Sequence, residues 1–283
     1  MIENALPSQH TLLPNLGVLD RLLLKRLPSD RVSAVQRATE QLPYYLRGAC
    51  FALGELERHR HEAVTALEVP GLGPNTRAVL SADRADPLSF ALDFYLFCLR
   101  RSFDALIPYI SRCPVSQSLP SSMHDLVKAL RKGKWQLDNK IQAAILAFWT
   151  DVGARIKGYR DQANHKAVIL SNCVAFRSEG RVALRMLLPD DHEEKQPSKL
   201  KYEPGVPAMG FAVNALEKSL RFVNVLVERM IDMLAPVLAD ADLQIAATAL
   251  QHDLELVTGN VRHFERVPGL RLSKVFAAAR EAT

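Results

Sequence analysis

Arg160-Asp161-Gln162-Ala163-Asn164-His165 sets a permanent cation and a titratable imidazole into one short stretch, with four residues between them. A guanidinium stabilises charge on a phosphate through paired N–H donors, and histidine moves protons near neutral pH. Together they form a minimal kit for cleaving a phosphodiester, such as that of RNA, without a metal. Helical proteins also carry Arg and His at this spacing by chance, so the surroundings decide between a site and a solvated helix end.

Those surroundings are basic. Between Leu126 and Lys166 stand Lys128, Arg131, Lys132, Lys134, Lys140, Arg155, Lys157, Arg160 and Lys166 against Asp138, Asp151 and Asp161. That segment carries +6, while the whole chain of 283 residues carries +5. A polyanionic substrate suits such a stripe, with Lys140, Arg155, Lys157 and Lys166 as candidate RNA-binding residues. The competing reading is a solvated helix face.

The elements that must position these residues read as helices. One helix is expected from Arg31 to Leu42 and another from Tyr45 to Leu67, the second with Leu46, Leu53 and Leu56 on one side. His59 and His61 fall on different helix faces, which disfavours a metal site. Val69-Pro70-Gly71-Leu72-Gly73-Pro74-Asn75 is rich in breakers and marks a boundary. Leu92, Leu96, Leu99, Phe103, Leu106 and Ile110 recur at helical steps, and a short helix from Ser122 to Lys132 stops at Gly133. The next stripe, Ile141, Ile145, Phe148, Val152, Ile156, Tyr159 and Ala163, leads into the Arg–His stretch. The spacing predicts that this helix frays near Ala163, because the period then changes.

Val168, Leu170, Val174 and Phe176 alternate with Ile169, Ser171, Cys173 and Ala175. Val182, Leu184, Met186 and Leu188 alternate again after Arg177-Ser178-Glu179-Gly180, which predicts a β-hairpin over 167–188. A charged loop from Pro189 to Pro207 follows, expected to be mobile. Leu216, Leu220, Val223, Val227, Met230 and Leu234 then line one helix face.

Composition narrows the class. Nearly half of the residues are apolar and 24% are charged, as in ordinary globular proteins. Cys50, Cys98, Cys113 and Cys173 show no close CxxC spacing, which points to a reducing compartment and away from a zinc site or a disulfide framework. Met1-Ile2-Glu3-Asn4 has no signal-peptide character, and the apolar run from Phe94 to Leu99 is too short to span a bilayer. A cytoplasmic protein without membrane partners is expected.

Arg160-Asp161-Gln162-Ala163-Asn164-His165, preceded by Tyr159 at the end of a long helix, resembles the hallmark of the HEPN superfamily. These are small helical bundles, many of them RNases of toxin–antitoxin and antiviral systems. Their motif is Arg, then four to six residues, then His. The resemblance covers about 82–238. It implies a homodimer whose two motifs line one cleft, an antitoxin partner, and cleavage without a metal. It implies His165 as the acid/base group on a ribose 2′-hydroxyl and Arg160 as the stabiliser of the phosphorane-like transition state. Asp161 and Asn164 are implied as orienting polar groups. Many HEPN proteins are catalytically silent binding partners.

Residues 240–272 resemble the C-terminal end of PIN-domain nucleases of the bacterial toxin type. The matching stretches are Asp242-Leu243-Gln244-Ile245-Ala246-Ala247-Thr248-Ala249-Leu250, Leu254-Glu255-Leu256-Val257-Thr258-Gly259-Asn260 and Val261-Arg262-His263-Phe264-Glu265-Arg266-Val267-Pro268-Gly269-Leu270. By that resemblance Asp242 falls on an acidic metal position, for Mg²⁺ or Mn²⁺, and Asn260 on a polar one. The rest of a PIN domain is not found, so no parallel sheet is expected here. The tail reads as a remnant of a gene fusion or as a piece that packs on a separate PIN-type partner.

The expected fold is mostly α: an N-terminal helical region 1–80, a HEPN-like bundle 82–238 with the hairpin inserted, and an incomplete α/β tail 239–283 derived from a PIN domain. The expected function is a metal-independent endoribonuclease of toxin–antitoxin or defence type that needs no cofactor. The alternative is a non-catalytic protein that binds RNA or a nuclease. A metal-dependent PIN ribonuclease completed by a partner comes third.

Overall fold

The computed structural model describes residues 12–24, 29–68, 77–113, 118–165, 173–178, 181–194, 196–258, 264 and 269–273. The described side chains exclude those of 29–34, 68, 165, 178, 197 and 235–243. The chain divides into two units, 1–230 and 231–283. It is mostly helical, with a small antiparallel sheet.

In the first unit, helix α1 (Leu16–Leu24) is followed by α2 (Ser29–Glu68), α3 (Ala82–Asp104) and the short α4 (Ile107–Ile110). Then come α5 (Met123–Arg131), α6 (Asn139–Phe148), a π-helical turn (Trp149–Gly153) and α7 (Ala154–His165). The final helix, α8 (Ala208–Gln251), contributes to both units.

The two helices expected between Arg31 and Leu67 are one. Pro43 lacks the N–H that would bond one turn back, a loss that ordinarily ends a helix. Here Pro43 is itself buried between Leu42 and Leu46, and burial on both sides of it carries α2 through. Two of the expected stripes form the core as read. Leu92, Leu96, Leu99, Phe103, Leu106 and Ile110 are all buried, as are Ile141, Ile145, Phe148, Val152, Ile156 and Tyr159, while Ala163, the last of the second stripe, is only half-buried.

Polar side chains tie these helices together inside the core. The Tyr109 hydroxyl on α4 lies 2.9 Å from Asp20 Oδ1 of α1, and Thr39 Oγ1 of α2 donates to the same oxygen at 2.8 Å. Burial is the main influence on Asp20 and pushes its carboxyl pKa up, with the two hydroxyls opposing. On the other side of the core, the Tyr95 hydroxyl of α3 donates to the Ala212 carbonyl of α8. Helices from both sides of residue 80 therefore share one core, because a buried donor or acceptor must find its partner within the fold.

The hairpin forms with β2 (Cys173–Ser178) and β3 (Arg181–Leu188), in register Cys173↔Met186 and Ala175↔Leu184. Residues 166–172 and the turn residues Glu179 and Gly180 lie outside the described residues. The inward residues of β2 are the small Cys173 and Ala175 rather than Val174 and Phe176. Two further strands, β1 (Arg77–Val79) beside β2 and β4 (Val206–Pro207) beside β3, complete an antiparallel order β1-β2-β3-β4. The breaker-rich stretch Val69 to Asn75 is not among the described residues.

In the second unit, β5 (Glu255–Leu256) pairs with β6 (Arg271–Leu272) in parallel. This corrects the expectation that the tail cannot form a parallel ladder. Fourteen residues intervene, enough for the crossover that a parallel pair needs. The ladder is only two residues long on each strand.

Candidate functional site

Helix α7 carries the Arg–His stretch and runs through His165, so the expected fraying near Ala163 does not occur. At about 100° per residue, the positions of Arg160, Asn164, Lys157, Asp161 and His165 follow one another around an arc of about 140°. Arg160 and His165 mark its two edges; the buried Tyr159 lies on the opposite face, and the buried Ile156 flanks Arg160.

Four of the five side chains in that arc form one connected set. Lys157 Nζ donates to Asp161 Oδ2 at 2.6 Å, and Arg160 Nη1 donates to Asp161 Oδ1 at 3.1 Å. In the amide orientation that satisfies both residues, the Asn164 oxygen accepts from Arg160 Nε and Nη2, each at 3.1 Å. One-turn pairs of this kind support a helix end, which is why the last turn holds. Burial acts to raise the Asp161 pKa, but hydrogen bonds and charge from Lys157 and Arg160 outweigh it, and the net shift is downward. Three N–H groups of Arg160 thus have partners among the described residues, and a guanidinium has five.

The opposite flank of α7 is covered by a strap, Pro189–Glu194. The Tyr159 hydroxyl donates to the Pro189 carbonyl at 2.9 Å. Gln162, only 2% exposed, donates from Nε2 to the carbonyls of Asp191 at 2.8 Å and Glu194 at 3.2 Å. Between them the strap passes so close to Gly158 that a Cβ there would lie 2.4 Å from the His192 carbonyl oxygen. The expected mobile loop is therefore bonded to the motif helix along this stretch.

The His192 ring centroid lies 6.0 Å from that of Tyr159. Burial depresses its pKa most, and Arg155 and Lys157 add to that while Glu193 and Asp191 oppose. A second imidazole, His124 on α5, has its centroid 5.8 Å from Trp149, and its buried Nδ1 meets no partner among the described residues. Its pKa is also lowered, first by burial and then by the charge of Lys157. Both histidines are thereby biased toward the neutral form.

The candidate RNA contacts are distributed unevenly. Lys157 is engaged with Asp161, and the Arg155 guanidinium sits 5.0 Å over the Phe211 ring. Lys140 is exposed near the start of α6, whose N-cap Asp138 accepts from the Lys140 and Ile141 amides. The His165 side chain and Lys166 lie outside the described residues, as do the Asp242 side chain and Asn260. Asp190, Asp191 and Glu193 on the strap act on the same Tyr159 and His192 side chains as Arg155, so the cationic stripe read along the chain is partly offset in space. The Arg160–Asn164 edge is the end of the arc away from that acid.

Gly158, Gln162, His192 and His124 were not singled out by residue type or spacing. The only signal in the sequence for the first two is a glycine and a glutamine one turn apart in a helix. Nothing local marks His192 or His124 as neighbours of α7. Among the described residues no group of three or more His, Cys, Asp or Glu is placed to hold a metal ion, and His59 lies 3.2 Å from Glu62 in a surface pair. Among them, too, no helix is long and apolar enough to cross a membrane. Comparison of the chain with known proteins finds no matching family model, no matching curated protein and no matching solved structure.

Proposed function

We propose that the chain is a metal-independent endoribonuclease of toxin–antitoxin or defence type, acting through the polar arc of α7. The observation that carries this reading is the fixing of Arg160 by Asp161 and Asn164, residues of its own helix, at one end of an arc whose other end is His165. A cation fixed before substrate arrives needs no reorganisation as charge develops, which is the condition for strong transition-state stabilisation.

In the proposed reaction His165 takes the proton of a ribose 2′-hydroxyl, and the 2′-oxygen attacks the adjacent phosphorus. The remaining Arg160 donors meet the charge building on the non-bridging oxygens. The 5′-oxygen leaves with the proton that His165 took, giving a 2′,3′-cyclic phosphate and a 5′-hydroxyl and restoring the neutral imidazole. Arg160 and His165 stand about 140° apart on one helix, so the reading favours a cleft in which two copies each contribute. RNA and a second copy are the partners this reading requires, with an antitoxin as a further one.

A second reading, a non-catalytic protein that binds RNA or a nuclease, draws on the engagement of Lys157 and Arg160 with Asp161 and on the acidic strap beside Arg155. Incubating purified protein with RNA, with and without EDTA, separates the readings. EDTA-resistant cleavage supports the Arg160/His165 proposal, and binding without cleavage supports the second reading. EDTA-sensitive cleavage moves the activity to a PIN-type metal site that includes Asp242.

A further inference from the structure

We propose that α5 and the turn after it form the surface that holds a single-stranded RNA beside α7. Between Ser122 and Lys140 the chain has five bases against two acids, Asp125 and Asp138. Both acids are engaged: Asp125 accepts from the Ser122 hydroxyl at 2.6 Å, and Asp138 caps α6. Lys128, Arg131, Lys132 and Lys134 are exposed, and none has an ion pair among the described residues.

Helical spacing aligns these groups. Met123, Leu126, Val127 and Leu130 are buried, which leaves His124, Lys128 and Lys132, one turn apart, in a row on another face. Arg131 stands beside that row, its Nη2 donating to Thr150 Oγ1 at 3.2 Å. Gly133 then takes a φ of 66°, and the Gly133 and Lys134 amides donate back to the Leu130 and Ala129 carbonyls, each at 3.0 Å. This glycine-capped end fixes the backbone that carries Lys134 and the half-buried Trp135.

The other end of the row meets the π-helical turn that runs into α7. There the His124 ring centroid lies 5.8 Å from that of Trp149. Burial is the main influence on His124, and Lys157 of α7, Arg100 of α3 and Lys128 of α5 add their charge while Asp125 opposes. The row from His124 to Lys132 is about 12 Å long, so cations continue from the end of α5 to the polar arc of α7. A line of unpaired cations beside an indole suits a single strand, whose phosphates meet the cations while a base stacks on the ring. A bilayer would need an apolar helix face to enter it, and that of α5 is already buried.

This inference rests on the reading of the chain as a protein that acts on RNA, so binding and cleavage are measured separately. A short 2′-O-methyl oligonucleotide lacks the attacking hydroxyl and should bind the full chain uncut. Trp149 is 3% exposed, so binding should quench the fluorescence of Trp135, the other tryptophan. Lys128→Gln combined with Lys132→Gln should lower the slope of log affinity against log salt by about 1.4, at about 0.7 for each lost contact. Trp135→Ala should abolish the quenching and weaken binding about 5- to 150-fold, the range for one stacked base. Lys199→Gln combined with Lys201→Gln, at exposed positions on another segment, should change neither. An unchanged slope in the first double variant, or an oligonucleotide that does not bind, would overturn the proposal. Phosphatidylserine vesicles that bind more tightly than the oligonucleotide, through the same two lysines, would assign the face to a membrane instead. Should Trp135→Ala fail to fold, the lysine pair decides alone. Binding through α5 without cleavage of unmodified RNA would remove the nuclease reading and leave this inference standing. Cleavage that the first double variant leaves unchanged would do the reverse.

Discussion

Two aspartates on neighbouring helices of the first unit show how differently its two exposed faces are built. Asp161 on α7 is held below its ordinary pKa: burial opposes, but Lys157 and Arg160 surround it and prevail. Asp93 on α3 is pushed up to about 6 by burial, and its Oδ1 has no partner among the described residues. The first face is polar and internally paired. The second combines the exposed rings of Phe90 and Phe94 with a carboxylate whose Oδ1 is buried without a partner among the described residues. Paired charge marks groups fixed in advance, whereas a buried carboxylate without a partner is costly in its charged form.

The comparison breaks first at Arg160. If its fixed fork stabilises the transition state, Arg160→Ala should lower RNA cleavage by about 10²–10³-fold, the range for removing one such donor. Arg160→Lys should recover little, since an ammonium has no planar fork to meet both Asn164 and phosphate. Full activity in the lysine variant, measured by initial rates, would reduce Arg160 to a point charge.

A smaller effect is expected where the strap meets α7. Gly158→Ala drives a Cβ onto a backbone carbonyl, and overpacking of this kind costs roughly 1–3 kcal/mol. Alanine recovers about 1 kcal/mol of helix propensity, so the net change depends on how far the strap moves. A melting temperature lower by about 2–6 °C is expected. Gln162→Leu withdraws the donor from two carbonyls and should cost about 1–2 kcal/mol. Because both residues hold one segment, the double variant should lose less than the sum. Additive losses in thermal denaturation would show that the strap is not a single unit.

Asp93 gives the smallest shift, and its sign is opposite. Below 3.8 the carboxyl is protonated in both folded and unfolded chains and costs nothing. Between there and about 6 the unfolded chain releases its proton first, so stability falls as pH rises. Asp93→Asn should therefore stabilise the protein at pH 7, on the order of 1 kcal/mol after solvent screening, and leave it unchanged near pH 3. A destabilised variant at pH 7 would reveal a partner for this carboxylate.

Local chemistry made the helices legible, and distance hid the rest. The stripes from Leu92 and from Ile141 could be read because a helical period lies within a few residues. Pro43 misled because a proline inside a helix is tolerated only where burial on both sides carries the helix through, and that is a tertiary fact. The parallel β5–β6 pair and the β1–β2 pair were missed because their partners lie far along the chain and each ladder is two or three residues long. In the candidate site, Arg160, Asp161 and Asn164 were legible together since one helix turn connects them. The strap was not, because its bonds come from backbone carbonyls, which residue types do not encode. The exposed rings of Tyr44, Phe51, Phe90 and Phe94 were not foreseen, because only the fold shows which side of each helix is covered.

The central claim is that α7 cleaves RNA through the residues at the two edges of its polar arc. The most direct measurement compares wild type with His165→Ala in EDTA, following both rate and product ends. The account predicts a loss of about 10²–10⁴-fold in rate, the usual contribution of a positioned acid/base, with RNA affinity nearly unchanged. It also predicts wild-type products ending in 2′,3′-cyclic phosphate. Wild-type rates in the alanine variant, or products carrying 5′-phosphates, would contradict it.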